Sequence, residues 1–527
     1  MKRKDFIRNA GAGVLLPAFL NGFSLRAFGS SPLLEALAGR SIDTDHVLVL
    51  IQLNGGNDGL NTVIPLDKYS ELSAARSNIL IPQGQVLSLS GLSGTGLHPA
   101  MTGIQSLYND GKVRIVQGVS YPNPNYSHFR ATDIWMTGSD SNQSLTTGWA
   151  GRYLNYEYPN YPTGYPNTDM PDPLAIQIGS VLSTAFQGPT AGMGMSISDP
   201  TNFYNLINGI QTPAPNTPAG HELSYIRQVA EQTDQYAGVI TAAANNVTQQ
   251  GAYPANNSLA AQLKIVAQLI AGGLKTRIYM VSMGGFDNHS NQVVSGSTAT
   301  GTHADLLQTL SEAVKAFMDD ITTLGVANRV IGMTFSEFGR RIISNNSLGT
   351  DHGAAAPVIL FGNQVMPGML GTNPVIPAGA TVSDNVAMQY DFRSLYASLL
   401  QDWFCVPSAD LNTILLQNFQ TLPLVNASDC SATALHEINN AAGLNLVSVY
   451  PNPFATRTNV QYTTNGGHTL IQVFNGEGRI IKTLVDADMQ AGNYRVDFEN
   501  EDYPTGVYYV RLQNRSVQQV KHMVLVK

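Results

Sequence analysis

Residues 45–424 alternate short apolar runs with helical segments, and this alternation restricts the possible fold more than any other feature of the sequence. Val47–Leu53 and Val330–Phe335 are almost continuously apolar, as strands buried on both faces require. Leu259–Leu274 and Leu306–Leu324 are typical of helices, the second amphipathic. The pattern predicts an α/β domain over residues 45–425, with a mostly parallel sheet and flanking helices.

The C-terminal residues have a different pattern. Residues 446–527 contain about seven short alternating segments, among them Asn459–Thr463 and Leu470–Phe474, separated by turn residues. This spacing predicts a small all-β sandwich. Residues 426–445 are then a linker between the two domains.

The N-terminus has the composition of an export signal. Lys2, Arg3, Lys4 and Arg8 precede an apolar run, Ala10–Leu20, that is too short to span a bilayer permanently. We therefore predict a signal over residues 1–29 and passage through the periplasm. No other segment is long and apolar enough to be transmembrane, so the mature chain is expected to lack a membrane span.

Composition argues against nucleic acid as a partner and leaves open whether the two cysteines form a disulfide. Hydrophobic residues make up 43% of the 527, enough for a large core, and charged residues make up 13%, against about 25% in typical soluble domains. The net charge of -8 and the lack of a basic stripe argue against nucleic acid as a partner. Cys405 and Cys430 lie outside any CxxC or Cys/His cluster, and they form either a disulfide or two separate thiols.

Candidate chemical groups follow the predicted strands, where ligands of parallel sheets bind. A glycine-rich turn, Asn54–Gly59, follows the first strand, and Ser127 stands where a helix begins. A serine there suits a nucleophile for anionic groups, although an ordinary N-cap serine has the same position. Asp287 and His289 are two residues apart, so both side chains can reach one cation from an extended segment.

Two further clusters follow later in the sequence. Ser336-Glu337-Phe338-Gly339-Arg340-Arg341 comes after one strand, and Asp351-His352-Gly353 comes before another. Each has an ordinary explanation as a turn cap, a solvated histidine or a surface arginine. Their joint position at strand ends favours a metal site.

These motifs resemble those of the domain-of-unknown-function family fifteen-hundred-and-one over residues 45–425. More distantly they resemble the alkaline phosphatase and sulfatase superfamily. The motifs that carry the narrower resemblance are Leu53–Asn61, Leu97-His98-Pro99, Ser127-His128-Phe129 with Asp133-Ile134-Trp135, Gly285–His289, Ser336–Arg340 and Asp351-His352-Gly353.

The superfamily resemblance implies a metal site and a nucleophile. Asp287, His289 and His352 match its first set of metal ligands, although the superfamily separates the first two by three residues rather than one. Ser127 matches the nucleophile position. The resemblance implies a divalent ion, with Zn and Ca, Mg or Mn equally compatible.

The second metal position of the superfamily departs from its pattern. Asn54 and Phe338 replace an aspartate and a histidine, with Asp58, Glu337 and Asp351 as the remaining oxygen ligands nearby. The departures imply one ion rather than two, because a site that loses two ligands binds weakly.

The last 80 or so residues resemble the C-terminal sorting domain of the type-nine secretion system. The resemblance rests on Val449–Phe454, Pro504–Tyr509 and Lys521–Lys527. It implies the export and type-nine secretion machinery as partners, and a secreted or surface-attached protein. A generic carbohydrate-binding or fibronectin-like module is the alternative.

Three functions are compatible with the sequence. The first is a metal-dependent hydrolase of phosphate or sulfate esters, with Ser127 as nucleophile and Arg340 or Arg130 holding the anion. The second is a non-catalytic surface protein that binds a glycan, a peptide or a partner protein. In the third, Asp287, His289 and His352 form the triad of an iron oxygenase, which strand–helix alternation disfavours.

Overall fold

A computed structural model describes the chain over residues 44–198, 235–426, 430, 445–475, 479–514 and 517–526, together with two paired strands, Ala18–Leu20 and Phe23–Leu25. Apart from those strands, the export signal predicted for residues 1–29 lies outside the described residues, as does most of the linker predicted for 426–445. The chain divides into two compact units, one over residues 44–427 and one that contains the C-terminal strands.

A nine-stranded sheet forms the centre of the larger unit. Its strands are Val47–Leu53 (β1), Val113–Ser120 (β2), Ala175–Ile178 (β3), Met195–Ile197 (β4), Ile278–Met283 (β5), Val330–Phe335 (β6), Ala356–Gly362 (β7), Gly368–Leu370 (β8) and Tyr390–Asp391 (β9). Smaller sheets contain Val63–Pro65, Leu87–Leu89 and Leu92–Leu97 in one case, and Arg340–Ser344 and Thr350–His352 in the other.

The strand order is β8-β2-β7-β6-β1-β5-β3-β4, and β9 also pairs with β2. β7 runs antiparallel to both its neighbours, and the other pairings described in this sheet are parallel. The prediction of a mostly parallel α/β sheet is therefore confirmed. Strands β6, β1 and β5 are adjacent and parallel, so their carboxyl ends lie at the same edge.

The α-helices are Gly59–Thr62 (α1), Tyr69–Arg76 (α2), Thr102–Asn109 (α3), His128–Thr137 (α4), Trp149–Glu157 (α5), Ser258–Ala271 (α6), Thr302–Thr323 (α7), Phe392–Ser398 (α8) and Leu411–Leu415 (α9), and residues 235–246 are also helical. A π-helical turn, Leu399–Trp403, continues α8. Short 3-10 turns are Leu66–Lys68, Gln83–Gln85, Thr184–Phe186, Ala327–Arg329 and Ser408–Asp410.

The central sheet separates two hydrophobic cores. Val47, Val49 and Ile51 of β1 belong to the core that includes α3, α6 and α7. The alternating residues Leu48 and Leu50 belong to the core that includes α4, α5 and α8. Successive side chains of a strand point to opposite faces, so an apolar run without alternation is buried on both sides.

The C-terminal unit is a five-stranded antiparallel sheet with its own core. Its strands are Asn445–Tyr450, Arg457–Phe474, Ile480–Glu499, Gly506–Asn514 and Val517–Leu525. The all-β prediction is confirmed, but the strands are fewer and longer than the roughly seven expected. Asn459–Thr463 and Leu470–Phe474 belong to one strand, because glycines at positive φ, Gly466 and Gly467, continue the pairing where a turn was expected.

Two further findings concern the cysteines and the possibility of a membrane-spanning helix. Neither cysteine is a free thiol, and Cys405 and Cys430 are both disulfide-bonded, which settles the alternative that the sequence left open. Among the described residues, no helix combines the length and hydrophobicity that a membrane crossing requires.

Candidate metal centre

Five segments meet at the carboxyl edge of the central sheet. Asp287 follows β5 and Glu337 follows β6, on either side of the glycine-rich turn that follows β1. The hairpin Arg340–Ser344 and Thr350–His352 pairs Arg340 with His352. His128 is the first residue of α4, after β2.

Three imidazole rings and one carboxylate converge here. Asp287 Oδ1 lies 3.1 Å from Nε2 of His289 and 3.1 Å from Nε2 of His352, and those two nitrogens are 2.9 Å apart. Nε2 of His128 lies 3.5 Å from Asp287 Oδ2. One donor atom each from His128, Asp287 and His352 lies within 4.8 Å of the others.

An oxygen acceptor fixes the other nitrogen of each ring. The Nδ1 partners are Glu337 Oε1 for His128 at 2.8 Å, Asp351 Oδ1 for His289 at 3.1 Å and the Tyr126 carbonyl for His352 at 2.8 Å. A carbonyl or carboxylate only accepts, so the tautomer with the proton on Nδ1 satisfies all three of these contacts. In that tautomer each Nε2 presents a lone pair to the cluster, as outer partners orient histidine ligands in metal sites.

The close approach of His289 and His352 fits a cation. Two unprotonated Nε2 atoms at 2.9 Å repel one another unless a proton or a cation lies between them. Nitrogen ligands of one zinc ion stand about 3.0–3.4 Å apart when each bond is about 2.0–2.1 Å long. The residues present therefore fit a divalent ion, and His128 adds an imidazole to the predicted pair.

Asp287 is held as a carboxylate. Burial opposes its charge, but the hydrogen bond from Arg340 and the contact with His352 outweigh it, and with the charges of Arg340 and His289 they lower its pKa to about 2. Arg340 Nη2 donates to Asp287 Oδ1 at 2.8 Å. Burial lowers the pKa of His352, with the charges of Arg340 and His128 adding to the effect, so this ring is neutral at pH 7. Asp351 also has a lowered pKa, because hydrogen bonds from His289 and Asn345 outweigh its burial.

Arg340 was predicted to hold a substrate anion, but its side chain is enclosed by the protein. Its side chain is 1% exposed, and it donates to the carbonyls of Gly55, Gly56, Phe286 and Thr350 as well as to Asp287. A guanidinium this enclosed cannot reach a substrate, so Arg340 positions Asp287. Arg130 is also engaged, with Asp133 and with the carbonyls of Asp140 and Gln143.

Asp58, a predicted ligand, lies outside the cluster. Its carboxylate is 3% exposed and accepts from Arg76 Nη1 at 2.9 Å and from Gln292 Nε2 at 2.6 Å. Burial raises its pKa, but Arg76, His303 and Gln292 reverse the shift and lower it. Sequence reasoning missed this pairing because Arg76 lies 18 residues away on α2.

Glu337 and Asp351 contact the cluster from outside, as acceptors for His128 and His289. Glu337 Oε1 also accepts from the Gly55 amide at 2.9 Å, which ties it to the turn after β1. Phe338, in place of a histidine, packs its ring 5.0 Å from that of His128 and 4.5 Å from that of His352. The phenyl ring therefore limits the orientations of two imidazoles.

Ser127 is the exposed N-cap residue of α4, and its side chain makes no capping hydrogen bond. Its neighbours on both sides contact the cluster, Tyr126 through its carbonyl and His128 through its ring. His128 itself was not predicted as a ligand. The available signal was its position, since the first residue of a helix that follows a strand lies at the same edge as the other groups.

Comparisons with known families and proteins identify two regions of the chain. Residues 201–403 match a family described as a protein of unknown function, DUF1501. Residues 448–527 match the secretion system C-terminal sorting domain. No curated protein matches the chain.

Solved structures with a similar arrangement include members of the alkaline phosphatase superfamily. A protein of that superfamily from Vibrio parahaemolyticus is 10% identical with a TM-score of 0.33, covering 92% of this chain and 90% of its own. The PsFucS1 sulfatase from Pseudoalteromonas sp. is 11% identical with a TM-score of 0.32, covering 89% and 86%. The lipoteichoic acid synthase LtaP from Listeria monocytogenes is 7% identical with a TM-score of 0.27, covering 73% and 79%.

Proposed function

We propose that this chain, whose residues 201–403 match the DUF1501 family and whose C-terminus is a secretion sorting domain, is a surface-delivered metal-dependent hydrolase of phosphate or sulfate esters. The observation that carries the proposal is that three Nε2 atoms lie within 3.5 Å of the Asp287 carboxylate, each ring held by an oxygen at Nδ1. The sorting domain indicates secretion or attachment at the cell surface.

The donor set favours one class of ion. His128, His289 and His352 offer nitrogen and Asp287 offers one carboxylate, a combination that suits zinc and its neighbours better than calcium or magnesium, which prefer oxygen. An ion of this class supplies Lewis-acid polarisation of an ester oxygen. The additional imidazole of His128 thus favours zinc-like ions over calcium and magnesium, a choice that the sequence left open.

The side chains of the protein supply orientation and a nucleophile. Arg340 keeps Asp287 ionised, while Glu337, Asp351 and the Tyr126 carbonyl hold the rings in one tautomer. The Ser127 hydroxyl is exposed at the N-terminus of α4, where free amides favour an anionic group. We assign Ser127 the attack on the ester.

Substitution of Ser127 tests this assignment. Ser127→Ala is expected to lower kcat for the best of a phosphate monoester, a phosphodiester and a sulfate ester by about a thousandfold or more. Its zinc content should equal that of the wild type, because Ser127 is not a ligand. His352→Ala should lose both zinc and turnover, measured by elemental analysis and product release.

Ser144→Ala is the matched control, since Ser144 is also exposed but belongs neither to α4 nor to the residues of the metal centre. It should leave zinc content and turnover unchanged. Turnover by Ser127→Ala equal to that of the control would remove Ser127 from the mechanism.

A non-catalytic role is the second candidate, favoured by the engagement of Arg340 and Arg130 inside the protein. With both guanidinium groups occupied, neither predicted clamp is available to an anion. A binding protein would hold zinc but turn over none of the three esters, and chelation would release a bound glycan or peptide.

A further inference from the structure

A row of buried polar side chains lies behind the metal centre. Its members are Arg76, Asp58, Gln292 and Thr350, of which Asp58 is the most exposed at 3%. Gln292 Nε2 donates to Asp58 Oδ2 at 2.6 Å, and Thr350 Oγ1 donates to Gln292 Oε1 at 2.9 Å. Both ends of the Gln292 amide are therefore fixed, because a carboxylate accepts only and a hydroxyl has its proton to give.

The row ends at the ligand Asp287. The Thr350 carbonyl accepts from Arg340 Nη1 at 2.8 Å, and Arg340 Nη2 donates to Asp287 Oδ1 at 2.8 Å. The other end is anchored in the hairpin itself, because Arg76 donates to the carbonyls of Arg341 and Ile342. The contacts thus form a closed network around the hairpin.

Gln292 and Thr350 also bridge the two segments that carry the ligands. Gln292 follows His289 by three residues, and Thr350 precedes His352 by two. The main chains of these segments are joined at Thr350 N to Asn288 O, 3.0 Å, and at Gln292 N to Leu348 O, 2.8 Å. The side-chain bond between Gln292 and Thr350 adds a third link, next to the 2.9 Å approach of His289 and His352.

We infer that Gln292 and Thr350 are positioning residues, which set the separation of the His289 and His352 ligands through the buried pair of Asp58 and Arg76. The inference rests on the metal site proposed above. It gives Asp58, which touches no ligand, a role in metal binding at a distance. Loss of the link lets the hairpin move relative to the 287–292 segment, and the site then binds its ion less tightly.

Thr350→Val tests the inference, because it replaces a hydroxyl that donates to Gln292 by a methyl group of similar size. The dissociation constant for Co²⁺, read from the visible absorption of the protein-bound ion, is expected to rise about tenfold or more, as for other outer-shell losses. The Co²⁺ spectrum should change as well, which a general loss of stability would not cause. Thr350→Ser keeps the donor and should bind within about twofold of the wild type.

Thr334→Val is the matched control. Thr334 is 2% exposed on β6, and its Oγ1 accepts a hydrogen bond from the Ile359 amide at 3.1 Å, away from the row. This variant should lose stability yet keep the Co²⁺ affinity and spectrum of the wild type. If Thr350→Val does not fold, Gln292→Leu breaks the same link from the other side and should give the same loss.

The outcomes separate the two proposals. Wild-type affinity and an unchanged spectrum in both Thr350→Val and Gln292→Leu would overturn the positioning role alone. An equal loss of affinity in Thr334→Val would also overturn it, since burial rather than the row would then be the cause. Failure of the wild type to bind Co²⁺ would overturn the metal site and this inference with it.

Discussion

At the scale of single residues, His98 and His303 contrast with the three histidines of the metal centre. Both are buried, 1% and 2% exposed. His303 Nε2 donates to Asn57 Oδ1 at 2.9 Å, and its Nδ1 has no hydrogen-bond partner among the described residues. Burial is the largest cause that lowers the pKa of His98 to about 3 and that of His303 to about 4. Both rings are therefore neutral in the folded protein.

This neutrality predicts acid destabilisation between pH 6.5 and 5. An unfolded histidine has a pKa of about 6.5, so in this window the unfolded chain binds protons that the folded protein does not. The free energy of unfolding should fall by about 2 kcal/mol for each of the two rings as pH drops from 6.5 to 5. Denaturant unfolding at both pH values measures the loss.

His303→Gln provides the comparison, because glutamine does not titrate. Its unfolding free energy should lose about 2 kcal/mol less than that of the wild type over the same pH interval. Equal losses in the two proteins would show that His303 binds protons similarly in the folded and unfolded states.

At the scale of elements, the turn after β1 depends on glycine. Gly55 has φ +121°, and a Cβ built there would lie 2.3 Å from the Asp287 amide nitrogen. The turn therefore packs backbone against backbone on the segment that carries two ligands, which a side chain prevents. Glycine is therefore required at position 55 both by the positive φ and by the close approach of the Asp287 backbone.

Gly55→Ala should displace the turn from Asp287. We expect the free energy of unfolding to fall by about 3 kcal/mol or more, from backbone strain together with overpacking. The Co²⁺ affinity should fall with it, because Asp287 moves. Gly91 has φ +73° with no atom within 4 Å of an added Cβ. Gly91→Ala therefore measures the effect of backbone strain without overpacking.

Gly91→Ala is expected to cost about 1–2 kcal/mol and to leave Co²⁺ affinity unchanged. Equal affinities in the two variants would mean that the Gly55 contact does not position Asp287. Denaturant unfolding and Co²⁺ titration of both variants measure these effects.

Local sequence pattern predicted the most strongly apolar elements. β1 and β6 have the bounds expected from their apolar runs, since a strand buried on both faces needs no tertiary information to be recognised. The C-terminal strands are longer than predicted, because Gly466 and Gly467 continue a strand rather than ending it. A glycine in the sequence indicates an unusual backbone conformation, but it does not show whether the strand ends there or continues.

At the scale of the whole molecule, the sequence predicted that the candidate groups meet at one edge of the sheet. It did not predict which side chains each of these groups contacts. The parallel sheet brings Asp287, His289 and His352 together from segments over 60 residues apart, as strand-end positions suggest. The pairing of Asp58 with Arg76 and the enclosure of Arg340 depend on packing between distant segments, which no local pattern contains.

The two units combine delivery with a candidate chemistry. The sorting domain indicates delivery to the cell surface or beyond, and the larger unit holds a cluster whose donor atoms are partly exposed. Asp287 and His289 have side chains 48% and 45% exposed, so a ligand can approach the cluster from solvent. This exposure would let a ligand reach the ion as an additional partner, as in catalytic zinc sites that expand their coordination.

A crystal structure of the zinc-loaded protein, with data on both sides of the zinc absorption edge, tests the metal site most directly. We predict one anomalous peak bonded to Asp287 and to Nε2 of His128, His289 and His352, with each Nδ1 still bonded to its oxygen. A peak elsewhere, or no peak while His289 and His352 remain hydrogen-bonded to one another, would contradict the account.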